Sequence, residues 1–279
     1  MFFNRVSPNQ FKVGNYRYIG STPALLSETL RCLWLKPDGT KVFYMGTAAG
    51  ILRSYDLTEP WNILTITNPQ SSSARLVDTG SIAISPYSMA FNSSGTVLFV
   101  GDAVSGPLYK YSLSNPWDIT SINLTASQQT FNSNVTGANS IWFGNNDSTL
   151  TIYTTGPAPS FKVNNISSSL DLTTITLNSN NASAGSNIPS ANFVDNGNKI
   201  CITTSAGAFA SIGMYTVTSP YQFVGATLIN SSATIDGVFL VSTLGANGLG
   251  EMWMSNDGNY LYMISVNSAV RRIFMWMVG

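Results

Sequence analysis

Residues 36–44 read KPDGTKVFY, and residues 55–63 read YDLTEPWNI. The same pattern returns as SGTVLF at 94–99 and YSLSNPWDI at 111–119. In both copies the turn glycine, Gly39 or Gly95, precedes the tyrosine, Tyr55 or Tyr111, by 16 positions. A constant spacing of this kind indicates an internal structural repeat.

Three further copies are recognisable. The fourth reads FVDNGNKICI at 193–202 and YTVTSPYQF at 215–223, with Tyr221 at the tryptophan position. A worn third copy, IWFGNNDS at 141–148 and NNISSSLDL at 164–172, has Asp147 at the glycine position. Aspartate adopts left-handed turn conformations more readily than most residues, so the same turn is expected there. The fifth copy has SNDG at 255–258, followed by Phe274.

Each unit is rich in β-branched and aromatic residues and is divided by turn residues. In the first unit, Leu33–Leu35 and Val42–Tyr44 predict a hairpin around Gly39, and 51–57 and 63–67 predict two more strands. A four-stranded unit of this length is typical of a propeller blade. We therefore predict one all-β domain over 1–279, a five-bladed β-propeller of four-stranded antiparallel blades. The predicted boundaries are a closing segment at 1–24 and repeat units at roughly 25–80, 81–132, 133–184, 185–244 and 245–279.

The last unit is expected to lack its fourth strand, because no Pro-Trp-Asp-Ile segment follows Phe274. We predict that residues 16–21 (YRYIGS) supply the missing strand and pair with the strand around 274–277. This pairing would close the ring and remove two unpaired sheet edges.

Two columns of apolar residues recur at matched positions and are expected to form the packed seams between blades. One column contains Leu35, Phe91, Phe143, Phe193 and Met254, and the other contains Leu33, Met89, Ile141, Ala191 and Met252.

Composition excludes several classes of function. The chain has 44% hydrophobic and 9% charged residues, with 13 basic and 13 acidic side chains, so it has no electrostatic signature of nucleic-acid or anionic-membrane binding. No apolar run is long enough for a transmembrane helix, and residues 1–9 do not have the pattern of a secretory signal. Cys32 and Cys201 fall on distant units and are predicted to be buried free thiols.

The sequence predicts no catalytic, cofactor-binding or metal-binding residues. It contains no histidine, Cys-X-X-Cys pair, dinucleotide fingerprint or P-loop. Acids that recur with the repeat are interpreted as structural: Asp38, Asp56, Asp118, Asp171 and Asp257. The unrepeated acids are the better candidates for a specific role: Glu28, Asp78, Asp102, Asp236 and Glu251. Among these, Glu251 enters an innermost strand, where it could face the central channel.

Two sets of aromatic residues suggest sugar stacking as an alternative to core packing. Trp61, Trp117 and Tyr221 each follow a proline at the same place in their unit, and packing across the turn is the preferred interpretation. Trp34, Trp142 and Trp253 share one column of the innermost strand, and packing between blades is preferred for them as well.

The two repeated segments together resemble the repeat of a family of β-propeller proteins found in tailed bacteriophages. The resemblance covers nearly the whole chain from about Leu30. It implies a virion component at the tail, fibre or capsid surface, and it implies no catalytic residues. Propellers host many unrelated functions, so the repeat predicts fold better than task.

Three functions follow as hypotheses. The first is a non-enzymatic structural protein of the virion, a rigid disc in a symmetric assembly that docks other virion proteins through neutral loops such as 68–80 and 178–187. The alternative is a receptor-binding module that recognises a host-surface glycan with avidity from many copies. The least favoured is a glycan-cleaving enzyme that uses two carboxylates. No nucleic acid, membrane insertion or cofactor is expected.

Overall fold

The computed structural model describes residues 16–23, 29–46, 50–81, 84–102, 106–133, 136–144, 146–154, 160–167, 169–182, 190–206, 209–221, 227–232, 249–265 and 271–278. Twenty strands in these ranges form five four-stranded antiparallel sheets. Each sheet is one blade of a β-propeller, which confirms the predicted fold class. None of the helices in the described ranges is long and apolar enough to cross a membrane.

The strands follow one another as meanders. The first strand, β1 (Tyr16–Ser21), precedes the first complete blade, and the other blades follow in chain order. Blade 1 contains β2 (Leu30–Leu35), β3 (Lys41–Gly46), β4 (Leu52–Leu57) and β5 (Ile66–Ser71). Blade 2 contains β6 (Pro86–Phe91), β7 (Val97–Asp102), β8 (Leu108–Ser112) and β9 (Gln128–Thr130). Blade 3 contains β10 (Ala138–Gly144), β11 (Thr149–Thr154), β12 (Ser160–Asn165) and β13 (Thr176–Ala182). Blade 4 contains β14 (Ser190–Val194), β15 (Lys199–Ala206), β16 (Phe209–Thr216) and β17 (Thr227–Ser232). Blade 5 contains β18 (Leu249–Met254), β19 (Tyr260–Ser265) and β20 (Ile273–Val278).

Strand β1 completes blade 5, as the sequence predicted. It pairs antiparallel with β20, from Tyr16 opposite Val278 to Ser21 opposite Phe274. The pairing extends one residue further, because the Thr22 amide donates to the Ile273 carbonyl at 2.9 Å. The ring is therefore closed by two segments from opposite ends of the described chain.

The turn after each innermost strand adopts the left-handed conformation that the repeat predicted. The φ angles are +74° at Gly39, +71° at Gly95, +83° at Gly197 and +72° at Gly258. Asp147, at the glycine position of the worn unit, has φ of +66°. The left-handed turn is therefore present in the worn unit, with aspartate in place of glycine.

The Pro-Trp-Asp-Ile segment does not start a strand, and the predicted strand at 63–67 is wrong in its first half. Ile63–Thr65 form a one-turn 3-10 helix, and β5 begins at Ile66. The Asn62 side chain accepts a hydrogen bond from the Leu64 amide and so satisfies a free donor of that turn. Asp118 and Asp171 cap equivalent turns in the next two units, which explains why an aspartate or asparagine recurs at this position.

The two apolar columns form the seams, as predicted. The described core separates into five clusters, and each contains or contacts one member of each column. Leu33 and Leu35, for example, pack with Trp253 and Tyr262 of blade 5. Burial of these columns packs neighbouring blades against one another.

Two segments that the sequence suggested as docking loops are partly blade structure. Residues 68–71 belong to β5, Leu76 is fully buried, and Val77 forms a parallel bridge with Thr125 of the next blade. Residues 178–182 belong to β13, while 183–187 lie outside the described residues. Cys32 and Cys201 are both buried and unpaired, as expected.

Candidate functional site: an aromatic cavity at the propeller axis

The first strand of every blade faces the propeller axis. Each of β2, β6, β10, β14 and β18 contacts the first strand of both neighbouring blades, so the five strands form a ring. Each innermost strand pairs with a strand of its own sheet on one side only, so its other edge has no strand partner. Side chains of the neighbouring blades supply some of the missing hydrogen bonds.

One column of polar side chains joins the innermost strands around this ring. Ser140 Oγ accepts from the Ala191 amide at 3.3 Å, and Ser190 Oγ accepts from the Met252 amide at 3.0 Å. At the same position in blade 5, the Glu251 carboxyl accepts from the Leu33 amide at 2.6 Å. The column therefore links one blade to the next, and Glu251 makes this link where the ring closes.

Each of the unrepeated acids that the structure describes has hydrogen-bond partners of its own. Glu251 is buried in the ring, and Asp102 accepts hydrogen bonds from the Ser85 amide and the Tyr109 hydroxyl. Asp78 accepts from the Gly80 amide. Glu28 and Asp236 lie outside the described residues. No group of three or more potential metal-ligating side chains occurs within the described ranges.

The position of Glu251 predicts a pH-dependent stability. Burial raises the pKa of its carboxyl well above the usual range, and the Leu33 hydrogen bond opposes this only in part. The native state therefore keeps a proton that the unfolded chain releases above about pH 4.3. The stability that this proton supplies is complete below that pH and is lost as the pH rises towards the native pKa.

Replacing Glu251 by glutamine should remove this loss, because the amide oxygen can still accept from Leu33. We expect Glu251→Gln to melt at the same temperature as the unmodified chain near pH 4 and at a higher temperature at pH 8. The measurement is the melting temperature across this range. Glu59→Gln, at an exposed position, is the control and should follow the unmodified chain. A constant difference between Glu251→Gln and the unmodified chain would contradict the assignment.

A cavity of about 270 Å³ lies at the end of the ring where the innermost strands terminate. The residues one position before the first apolar column are Trp34, Ala90, Trp142, Asn192 and Trp253, and all of these except Ala90 line the cavity. The remaining lining residues come from the strand ends and the following turns: Leu35, Pro37, Trp61, Phe91, Asn92, Ser93, Phe143, Asp147, Phe193, Asn196, Tyr221 and Asn256. The wall is therefore built from all five blades.

Half of the 16 lining residues are aromatic, and several of their rings pack against one another. Trp61 stacks on Trp253 across the closing seam, with centroids 5.6 Å apart and planes at 19°. Trp142 meets Phe193 edge to face at 5.5 Å and 81°. Trp34 contacts three of the five seam clusters, which places its ring near the axis, beside the small side chain of Ala90. These contacts fix the rings before any ligand enters.

The polar groups around the cavity fall into two sets. We call Ser93 and Asp147 the rim, where the side chains are hydrogen-bonded to each other, and Asn192 the floor, where one donor has no hydrogen-bond partner in the described part of the chain. At the rim, the Asp147 carboxylate accepts from the Ser93 amide and hydroxyl, the latter at 2.7 Å. On the floor, Asn192 is 4% exposed and its Oδ1 accepts from the Met254 amide at 3.2 Å. Within the described residues Asn192 Nδ2 has no acceptor, so it remains available as a donor on the floor.

The repeat places these aromatic residues correctly in the blades but does not reveal the cavity that they form together. Trp142 and Trp253 are at least 90% buried, as core packing predicts, and their rings also line the cavity. Trp61 and Tyr221 cover the turn glycines of their units, as expected, and reach the cavity. Trp117 covers Gly95 in the same way but is not part of the lining. Asn192 was not singled out, although it is the amide in a column otherwise filled by tryptophan and alanine.

Comparisons with known proteins bear on the fold alone. No protein-family model matches the chain, and no curated protein matches it. The β-propeller domain of Myceliophteria thermophila Cps50 (Swd1) is similar, with 8% identity and a TM-score of 0.51 over 95% of this chain and 100% of that chain. Kuenenia stuttgartiensis hydrazine synthase is similar over 84% of this chain and 73% of that chain, with 12% identity and a TM-score of 0.50. At these identities the likeness supports the propeller and carries no information on activity.

Proposed function

We propose that this chain is a non-enzymatic recognition module that binds a sugar ring in the axial cavity. The observation that carries the proposal is the set of rigid aromatic rings around a cavity of about 270 Å³. This volume lies near the lower end of the roughly 300–1,000 Å³ typical of small-molecule sites. Flat rings with a few polar groups between them suit the C–H faces and hydroxyl groups of a pyranose.

The repeat resembles that of phage virion propellers. On a virion, a sugar-binding cavity would serve to bind a host receptor. Many copies on a particle would convert weak binding at each cavity into strong adsorption to a host-surface glycan. Rigid docking to other virion proteins was the first hypothesis, but part of the segments suggested for it belongs to blade structure. The cavity therefore favours recognition as the function, with the virion surface as its proposed location.

The carboxyl groups of Asp147 and Glu251 are already hydrogen-bonded within the protein, which supports a non-enzymatic role. Asp147 is the acid of the described lining, and its carboxylate is held by Ser93. Glu251 serves the ring closure through the Leu33 amide. Glycoside hydrolysis needs two carboxyl groups roughly 5–10 Å apart on either side of the scissile bond, and no such arrangement was found in the described cavity.

Trp61→Leu tests the proposal, with Trp117→Leu as its matched control. Both tryptophans follow a proline and cover a turn glycine, but Trp61 lines the cavity and Trp117 does not. We expect Trp61→Leu to weaken binding to host-surface polysaccharide by about tenfold or more, because it removes a ring that would stack on the sugar. Trp117→Leu should bind normally. Tryptophan fluorescence titration with polysaccharide extracted from host cells measures both.

Two results would contradict the proposal. One is the absence of saturable binding by the folded, unmodified protein. The other is an equal loss of binding in both variants, which would show that the effect comes from the turn and not from the cavity.

A further inference from the structure

We propose that the sugar bound in the axial cavity is uncharged and carries an N-acetyl group. This inference rests on the proposed function and makes it more specific. It depends on three features of the cavity: the Asn192 donor of its floor, the aromatic surface beside this donor, and the charges of its lining.

The floor offers a hydrogen-bond donor. Asn192 Oδ1 is occupied by the Met254 amide, and this contact also fixes the orientation of the side-chain amide. Nδ2 is therefore the end left for a ligand, and it can only donate. A ligand that supplies an acceptor here pairs with this donor and so gains affinity.

An acetamido group matches this floor better than a hydroxyl group does. Its carbonyl oxygen is a strong acceptor with no proton of its own to satisfy, and its methyl group is apolar. The rings of Trp34, Trp142 and Trp253 provide an apolar surface beside Asn192. A sugar hydroxyl in the same place would accept from Nδ2, but its own proton would need an acceptor. No side-chain acceptor of the described lining is buried without a partner.

The described lining offers no cation to an acidic ligand, and its one acid lies at the rim. The described lining contains no lysine or arginine, so the carboxylate of an acidic sugar would lose water without gaining a counter-ion. Asp147 is the acid of this lining, and it is held at the rim by Ser93. A cation would be attracted by the aromatic faces, but it would lose its water at the floor without gaining a carboxylate there. An uncharged ring is the ligand that the site accommodates at the lowest desolvation cost.

The test compares sugars that differ in one group. N-acetylglucosamine is compared with glucose, and N-acetylgalactosamine with galactose, as methyl glycosides in calorimetric titrations of the full chain. We expect each N-acetylated sugar to bind about tenfold or more tightly than its partner, the difference expected for a buried hydrogen bond and a buried methyl group. Glucuronate and tetramethylammonium serve as the anionic and cationic probes, and both should bind more weakly than N-acetylglucosamine.

Asn192→Asp tests the assigned donor. Aspartate can still accept from the Met254 amide, so this contact between the innermost strands of blades 4 and 5 is retained while the Nδ2 donor is removed. We expect the preference for N-acetylated sugars to fall to less than about twofold. Asn123→Asp is the matched control and should keep the preference, because Asn123 is exposed, lies outside the lining and likewise accepts a backbone amide, that of Thr125, at its Oδ1. The melting temperature of each variant confirms that it is folded.

The outcomes separate this inference from the proposed function. Equal binding of glucose and N-acetylglucosamine, with loss in Trp61→Leu, would overturn the N-acetyl assignment and leave the sugar site in place. Tighter binding of glucuronate than of N-acetylglucosamine would contradict the assignment of an uncharged ligand. Binding of tetramethylammonium without binding of any sugar would overturn both proposals. An unchanged preference in Asn192→Asp would exclude Asn192 as the recognising donor.

Discussion

Removal of residues 1–21 is expected to lower the melting temperature by about 5–10 °C or more. Strand β1 forms an antiparallel ladder with β20 along its length, and Tyr18 lies against Trp276 with ring centroids 5.8 Å apart. If several ladder hydrogen bonds contribute about 1 kcal/mol each, the loss is on the order of 3 kcal/mol, which corresponds to that shift for a domain of this size.

The deletion should also change the association state, because β20 would become an exposed edge strand beside a buried tryptophan. A matched deletion of residues 1–15 retains every described residue, so the difference between the two deletions measures the contribution of residues 16–21. Thermal unfolding followed by circular dichroism, with light scattering to detect association, distinguishes the two. An unchanged melting temperature after removal of 1–21 would show that β1 contributes nothing to ring closure.

Gly95→Asp is expected to destabilise the propeller by about 2–4 kcal/mol, and Trp117→Leu should relieve part of this loss. A Cβ atom built on Gly95 would lie 2.2 Å from Trp117 Cε2, so the ring must move. The cost combines overpacking of about 1–3 kcal/mol with a smaller penalty for a side chain at positive φ. Aspartate keeps the backbone penalty small, and the experiment therefore mainly measures the clash.

The chain itself contains the precedent for the double variant. In the worn unit, Asp147 occupies the glycine position with φ of +66°, and Leu170, with φ of +55°, occupies the tryptophan position. Urea denaturation of the two single variants and the double variant gives the coupling energy. We expect the double variant to be more stable than the sum of the single effects predicts. Strict additivity would contradict a direct contact between the two side chains as the cause.

The blade design was predictable because it is local and repeated. The turn at Gly39, the left-handed Asp147 and the two apolar columns each follow from rules that act within a few residues or within one strand. The 3-10 turn at Ile63 was missed because β-branched residues suit a strand equally well. Its position depends on the Asn62 cap, a contact that periodicity does not report.

Ring closure was also predictable, although it joins Tyr16 to Val278. The missing fourth strand of the last unit and the extra strand before the first unit are both visible once the repeat is aligned. The physical reason for the pairing is general, since an unpaired strand edge leaves backbone groups without partners.

The sequence alone thus determined the five blades, their seams and the strand that closes them, because those features arise from periodic patterns repeated along the chain. The tertiary structure alone decided that Trp34, Trp142, Trp253 and Asn192 meet around one cavity, and that Glu251 bonds to Leu33. These contacts join residues from different blades, at separations that no local pattern encodes. The way the blades close around the axis decides which side chains meet there, and the proposed function depends on that geometry.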